Sequence, residues 1–338
     1  MGCLGLTRLL QSTQLFIVPK DNAMTRPTIP VVSYSDLLST TAARQRAIAT
    51  LGEALESVGF FILEPHPISP EVVRRAYQVA AEVFALPEPI KTKYSCPQQR
   101  GSGGFSSLGT EQAKGYTVPD LKEFWHVNRH SLSAPDAPWP QEVPSFRPVM
   151  TRLYQQLMAC AEVLLVACAE YLGQPQDWLV AMATGGNTVL RLAHYPAVGV
   201  APPGSLRAAP HEDINLITLL CEATAPGLEI LTQQGTWLPV QTTPGQIVVD
   251  TGDMLQNLTN GLFRSTTHRV VNPQSSNQAR LSMPFFVHPR PEVDLTPIDS
   301  LIDRTGGAPQ FPPITAAAYL AQRLEEIQVE PVGEGTRR

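Results

Sequence analysis

The second half of the chain carries a close series of short segments rich in β-branched and aromatic residues. Turn-forming pairs separate these segments, for example Gln234-Gly235 and Pro244-Gly245. Short runs broken by turn signals, with no helical pattern between them, are typical of an antiparallel sandwich or barrel. We therefore predict strands over residues 188–194, 215–221, 228–231, 237–240, 246–250, 266–271 and 281–287.

The first half of the chain has the apolar period of amphipathic helices instead. Residues 42–58 and 147–172 show that period, and another helix is predicted to begin after Ser69, whose hydroxyl suits an N-cap. The short apolar run Phe60–Leu63 is bounded by turn formers and indicates a buried strand. Residues 98–115 are rich in Gly and Ser, which favours a mobile loop that closes over a site.

These patterns divide the chain into five parts, which end in an amphipathic helix. We expect a disordered or mis-assigned leader because the ordered pattern opens only after Met24, an alternative start. The predicted parts are the leader 1–27, an N-terminal region 28–140, a long supporting helix within 141–186, a β-rich domain 187–292, and a C-terminal helix and tail 293–338.

Composition limits the possible partners and compartments. The formal net charge of −5 provides no basic field, so we expect no nucleic-acid partner. The five cysteines form no C-x-x-C pair, as expected for free thiols in a reducing compartment, and we therefore predict a cytoplasmic location. No run of eighteen apolar residues occurs, so no membrane span is predicted. The sequence does not predict an oligomeric state.

Two histidines and one aspartate stand in a pattern that suits a metal ion. His211 and Asp213 are two residues apart in an extended segment, so their side chains project to the same side, whereas Glu212 should point away. His268 follows on another predicted strand. Two imidazoles and one carboxylate form the facial triad that suits iron(II) and leaves coordination positions open.

A third element strengthens this interpretation, because an isolated H-x-D also occurs by chance. Arg280 and Ser282 alternate to the same face of a segment that we expect to return as a strand beside that of His268. Together they offer a guanidinium fork and a hydroxyl to a carboxylate.

With these motifs, the chain resembles the isopenicillin N synthase-like family of iron(II)- and 2-oxoglutarate-dependent dioxygenases. Its H-x-D, distal H and R-x-S motifs match the five residues above, and the resemblance covers about residues 29–291. Residues 59–63 resemble the family's G-F-F strand, and residues 91–94 resemble its K-x-x-Y segment. Residues 120–126 resemble the D-x-K-E-x-W segment that borders the active site.

The resemblance implies a fold, cofactors and further site residues. The fold would be a double-stranded β-helix, or jelly roll, with N-terminal helices and a C-terminal helix. Iron(II), dioxygen and 2-oxoglutarate as cosubstrate would support hydroxylation, desaturation or ring closure of a small organic substrate, with no catalytic side chain beyond the metal centre. Tyr195 would join Arg280 and Ser282 at the cosubstrate carboxylate, and Trp125 and Phe105 would line the substrate pocket.

Alternative functions remain open at this point. Residues 211–218 also resemble isopenicillin N synthase-type oxidases, which use no 2-oxoglutarate and hold a substrate carboxylate with the R-x-S pair. Those enzymes place a glutamine ligand near the C-terminus, and residues 330–338 contain none. A non-catalytic jelly roll that binds a small carboxylate would lack a metal ligand, and a zinc hydrolase would show H-E-x-x-H. We favour the interpretation that the chain is a 2-oxoglutarate-dependent enzyme.

Overall fold

The computed structural model describes residues 28–96, 103–197, 204–272 and 278–327. The strands are β1 (Val31–Val32), β2 (Phe60–Leu63), β3 (Gly104–Ser106), β4 (Glu123–Asn128), β5 (Val189–Tyr195), β6 (Ala208–His211), β7 (Ile217–Cys221), β8 (Leu228–Leu231), β9 (Trp237–Pro239), β10 (Ile247–Thr251), β11 (His268–Val270), β12 (Arg280–Ser282) and β13 (Pro284–Val287). The helices are α1 (Tyr34–Leu37), α2 (Ala42–Ser57), α3 (Pro70–Phe84), α4 (Glu88–Lys91), α5 (Arg129–Ser133), α6 (Phe146–Tyr171), α7 (Trp178–Ala183), α8 (Asp253–Leu258), α9 (Asp299–Arg304) and α10 (Ala316–Ile327).

Two β-sheets form the centre of the molecule. The large sheet has the order β1-β2-β10-β7-β13-β5-β4-β3, with β12 paired to β5, and the small sheet has the order β6-β11-β8-β9. Phe60 and Val248 of the large sheet share a buried apolar cluster with Leu228 and Ile230 of the small sheet. The predicted jelly-roll core is confirmed.

The N-terminal region contributes to the large sheet as well as to the helical cover. Strand β2 lies between β1 and β10, and β4 pairs with β5 in antiparallel register. The change of pattern at residue 187 is therefore a change in secondary structure within one continuous sheet. Strands from the N-terminal region reach the site through this pairing.

Helix α6 supports the large sheet from its outer face. Leu153, Leu157 and Leu164 are fully buried in the main apolar core, in which residues of α2 and α3 also lie. Among the described residues, this is the one helix long and apolar enough to cross a membrane, but 56% of its most apolar window is buried inside the protein. Burial against neighbouring elements is the property of a core helix.

The expectation that no helix interrupts the β-rich half is wrong. Helix α8 follows β10 directly, where Gly252 passes so close to Asn215 that an added Cβ would lie 2.3 Å from its carbonyl oxygen. The helix is followed by a left-handed turn at Asn260, with a φ of 53°, and Gly261. This helix has only six residues and lies between two turn signals. So short a segment does not show a helical period of apolar residues in the sequence.

The expectation of a mobile loop over residues 98–115 is only partly testable. Strand β3 lies inside this stretch and pairs with β4, so Gly104–Ser106 are part of the large sheet. Residues 98–102 lie outside the described residues. The predicted closure of this loop over the site stays a prediction.

Candidate active site

The two predicted histidine ligands lie opposite each other on paired strands. His211 ends β6 and His268 begins β11, and their Cα atoms are direct partners in the antiparallel register. In each ring, Nδ1 faces a backbone carbonyl two residues earlier, at 2.7 Å for Ala209 and 3.1 Å for Thr266. A ring N–H that donates to a carbonyl assigns the tautomer and leaves Nε2 to bind a metal.

Asp213 completes the site. Its Oδ1 lies 3.7 Å from Nε2 of His268 and 4.0 Å from Nε2 of His211, and one donor atom from each residue lies within 4.8 Å of the others. The Thr218 hydroxyl donates to Oδ2 of Asp213 and fixes the carboxylate. The structure thus brings together the three predicted ligands, in a donor set of two imidazoles and one carboxylate that fits iron(II).

The surroundings of His211 favour the protonation state that metal binding requires. Burial, and then the neighbouring His268, lower the pKa of His211, which favours the neutral imidazole. Glu212 accepts a hydrogen bond from Thr267 and lies 3.8 Å from Arg323, outside the triad. The prediction that it points away from the metal is confirmed.

A small cavity of about 60 Å³ adjoins the triad between the two sheets, and Tyr195, Arg280 and Ser282 line it. Arg280 is only 2% exposed, and its Nε donates to the carbonyl of Ala225 at 3.0 Å. Its Nη1 is buried and has no partner among the described residues. Because an unpaired buried donor is costly, this nitrogen fits a ligand oxygen such as that of the 2-oxoglutarate carboxylate.

The predicted position of the R-x-S strand is wrong. Strand β12 does not lie beside β11; it pairs with β5 of the large sheet, with Arg280 opposite Tyr195 and Ser282 opposite Ala193. His268 belongs to the small sheet, so the two motifs face each other across the cavity instead of lying side by side. The alternation that places Arg280 and Ser282 on one face holds.

A larger cavity of about 370 Å³ also adjoins the triad. His211 and Asp213 line both cavities, as do Lys122 and Arg191. The polar wall of the larger cavity includes Lys122, Arg191 and His288. Burial lowers the pKa of His288 to about 4, so this imidazole is neutral at physiological pH. The apolar wall consists of Val189, Pro210, Ile214, Phe286, Leu320, Leu324 and Ile327.

Trp125 and Phe105 do not line this cavity, which corrects the predicted substrate pocket. Trp125 is 1% exposed and Phe105 is 2% exposed, and their ring centroids lie 6.3 Å apart. Both belong to the main core, where Trp125 packs edge-on against Phe146 of α6. Alternation along β4 sends Trp125 toward the helices and its neighbour His126 toward the cavity.

Only part of the segment predicted to border the site, residues 120–126, faces the larger cavity. Asp120 and Lys122 line the larger cavity. Glu123 instead accepts hydrogen bonds within the protein, at 2.6 Å from Nζ of Lys91 and 2.7 Å from Nδ1 of His194. This contact gives His194 a structural role.

The sequence reading missed several residues of the larger cavity. Arg191 could have been found, because it lies on the same face of β5 as Ala193 and Tyr195 by simple alternation. Glu111 could not, since it stands in an irregular segment with no periodic signal. Arg323 lies on α10, which was predicted as a helix but without a side facing the site.

Comparison with known proteins agrees with this geometry. A family model described as the N-terminal region of non-haem dioxygenases in morphine synthesis matches residues 29–148, and the 2-oxoglutarate–iron(II) oxygenase superfamily model matches residues 186–289. A proline hydroxylase, buaE, from Petromyces alliaceus is 31% identical over 87% of this chain and 97% of its own. The chain belongs to the 2-oxoglutarate–iron(II) oxygenase superfamily.

Solved structures support the same membership. An oxygenase of this family from Caulobacter crescentus is 36% identical, with a TM-score of 0.77 over 88% of this chain and 98% of its own. T7H from Neurospora crassa, in complex with α-ketoglutarate and thymine, is 25% identical, with a TM-score of 0.79 over 88% and 96%. The protein is a 2-oxoglutarate-dependent, iron(II)-dependent dioxygenase that acts on small substrates.

Proposed function

We propose that this oxygenase hydroxylates a C–H bond of a small organic molecule held in the 370 Å³ cavity. One observation carries the proposal: two cavities adjoin the triad, and His211 and Asp213 line both. One cavity has the buried guanidinium expected for a cosubstrate, and the other has the volume and apolar wall expected for a separate substrate.

Different side chains would bind the iron, the cosubstrate and the substrate. His211, Asp213 and His268 would hold iron(II), which supplies dioxygen activation with 2-oxoglutarate as the reductant. Arg280 and Ser282 would bind the far carboxylate of 2-oxoglutarate, with Tyr195 beside them at 5.1 Å from ring centroid to the Arg280 guanidinium carbon. The apolar wall of the larger cavity would orient the substrate and exclude water from the reacting centre.

The related proteins support a small organic substrate. They include a proline hydroxylase, the T7H complex with thymine and the JOX2 complex with 2-oxoglutarate, iron and JA. Proteins of similar sequence thus take chemically different molecules, and the loops and side chains of the larger cavity set the choice.

An oxidase that uses no 2-oxoglutarate is the alternative within the same fold. In that case Arg280 and Ser282 would hold a carboxylate of the substrate itself, and the larger cavity would have no separate occupant. The complete ligand triad argues against a non-catalytic binding protein. We also propose a cytoplasmic location and no nucleic-acid partner, supported by the free thiols of Cys96, Cys160, Cys168 and Cys221 and by the negative net charge.

Succinate formation tests the proposal. The iron(II)-loaded protein is incubated with 2-oxoglutarate, oxygen and a library of small organic molecules, and the Asp213→Ala variant serves as control. We expect some compounds to stimulate succinate release and to gain one oxygen atom, with no stimulation in the variant. Oxidation of library compounds in the absence of 2-oxoglutarate would favour the oxidase.

A further inference from the structure

The wall of the larger cavity contains a guanidinium that is paired with a carboxylate. Nη1 and Nη2 of Arg191 donate to the two carboxylate oxygens of Glu111, at 3.0 Å and 2.9 Å. Nε of Arg191 donates to Nε2 of His126 at 2.6 Å. Every nitrogen of the guanidinium therefore has an acceptor within the protein, in the bidentate geometry that makes arginine–carboxylate pairs strong.

The neighbouring ammonium is also paired with carboxylates. Nζ of Lys122 lies 2.8 Å from Asp120 and 3.1 Å from Glu111. Asp120 is held in turn by the backbone N–H of Ala209, at 2.9 Å. Glu111 thus bridges the two cations of this wall, and the two cations and two carboxylates leave no net charge.

These ions are poorly solvated, so their pairing matters. The side chains of Glu111, Lys122 and Arg191 are 17%, 9% and 18% exposed. Burial alone would raise the pKa of Glu111, but the charges of Arg191 and Lys122 outweigh it and hold that pKa well below its usual range. Glu111 is therefore ionised at every physiological pH.

The outer part of the cavity shows the same balance. Arg323 lies 3.3 Å from Asp253 and 2.9 Å from Glu326, and Lys114 lies 2.9 Å from Glu326. Among the described residues that line the cavity, every lysine and arginine thus has an acidic partner. A carboxylate on the substrate would meet no uncompensated cation among these residues. It would have to lose its hydration or compete with Glu111 for the cations, and both are unfavourable.

We propose that the substrate is uncharged and mainly apolar where it faces the metal, and that Glu111 determines this specificity by occupying Arg191 and Lys122. The inference rests on the proposed function only in taking the 370 Å³ cavity as the substrate site. Glu111 acts by excluding anions, and it touches no metal ligand. Its removal should convert the cavity wall into an anion-binding site.

Calorimetric titration with a matched pair of probes tests this role. Phenylacetate and phenylacetamide have nearly the same shape and differ in charge. Each is titrated into the anaerobic iron(II)-loaded protein with 2-oxoglutarate, for the wild type, Glu111→Gln and Glu111→Ala. We expect phenylacetate to bind either variant at least about tenfold more tightly than the wild type, whereas phenylacetamide gains no comparable affinity.

The Glu326→Gln variant is the matched control. It removes a carboxylate from the outer pairs, where Lys114 is 60% exposed to solvent, and leaves the poorly solvated Arg191 and Lys122 paired. No gain for phenylacetate is expected there. The absence of a gain in both Glu111 variants, or an equal gain in Glu326→Gln, overturns the role of Glu111. Iron content and thermal unfolding of each variant verify its fold. The comparison measures binding and not turnover, so failure of the succinate assay would not by itself decide the role of Glu111.

Discussion

Replacement of Arg280 by lysine separates the two carboxylate roles that the R-x-S pair could have. The arginine side chain is 2% exposed, and its Nε is already committed to the Ala225 carbonyl at 3.0 Å. Its Nη1 is buried without a partner among the described residues, and the arginine lines the small cavity. A lysine keeps the positive charge, but one ammonium cannot hold the Ala225 carbonyl and a carboxylate with the geometry of the fork.

The expected magnitude follows from these contacts. The variant loses at least one charge-assisted hydrogen bond to the cosubstrate, and such bonds contribute roughly 1.5–3 kcal/mol each. Since about 1.4 kcal/mol corresponds to a factor of ten, the dissociation constant of 2-oxoglutarate should rise roughly ten- to a hundredfold. Iron content should not change, because Arg280 belongs to the large sheet and is not a metal ligand.

The assay is the visible charge-transfer band of the anaerobic iron(II)–2-oxoglutarate complex, titrated in wild type and Arg280→Lys. The conservative variant Ser282→Ala should weaken binding less, because it removes a neutral hydroxyl. Equal affinities in the wild type and Arg280→Lys would refute the assignment of Arg280 to the cosubstrate. A loss of iron in Arg280→Lys would show that the variant acts through the fold.

Three further outcomes are expected. The variants His211→Ala, Asp213→Ala and His268→Ala should each lose iron in metal analysis of the purified protein, and wild-type content in all three would contradict the triad. Leu157→Ala should lower the free energy of unfolding in urea by about 2–5 kcal/mol with unchanged affinity for 2-oxoglutarate, because it empties a fully buried site in α6. Burial raises the pKa of Glu123, but hydrogen bonds from its histidine and lysine partners outweigh it, so the folded-state pKa lies below the unfolded value of about 4.3. The stabilisation by ionised Glu123 is therefore complete above that pH and is lost as the pH falls. Glu123→Gln should lower the free energy of unfolding more at pH 7 than at pH 3. An equal effect at the two pH values would refute the charge pairing.

Local alternation was sufficient to predict the relative orientation of the first two candidate ligands. Alternation in an extended segment places His211 and Asp213 on one side and Glu212 on the other, and this depends on neighbouring residues only. The strand pairing of β12 depends on residues far apart in sequence, and nothing near Arg280 indicates that it crosses to the large sheet. The R-x-S motif was therefore recognised correctly, whereas the strand that pairs with it was predicted incorrectly.

The residues of the substrate cavity illustrate a second limit. All six residues of β4 are buried, so alternation of polar and apolar residues could not show which face Trp125 would take. Packing against α6 determines that face, because the ring centroids of Phe146 and Trp125 lie 5.3 Å apart. Glu111 reaches Arg191 from an irregular segment eighty residues away, and only the folded chain brings the two together.

The release of carbon dioxide from 2-oxoglutarate labelled at its C1 carboxylate tests the central claim most directly. We expect the iron(II)-loaded protein to release labelled carbon dioxide when oxygen is present, and to release more with a molecule that binds in the larger cavity. Release should stop when oxygen is removed or when Asp213 is replaced by alanine. Release that persists at the wild-type rate in Asp213→Ala, or no release from iron-loaded protein under any of these conditions, would contradict an iron- and 2-oxoglutarate-dependent oxygenase centred on His211, Asp213 and His268.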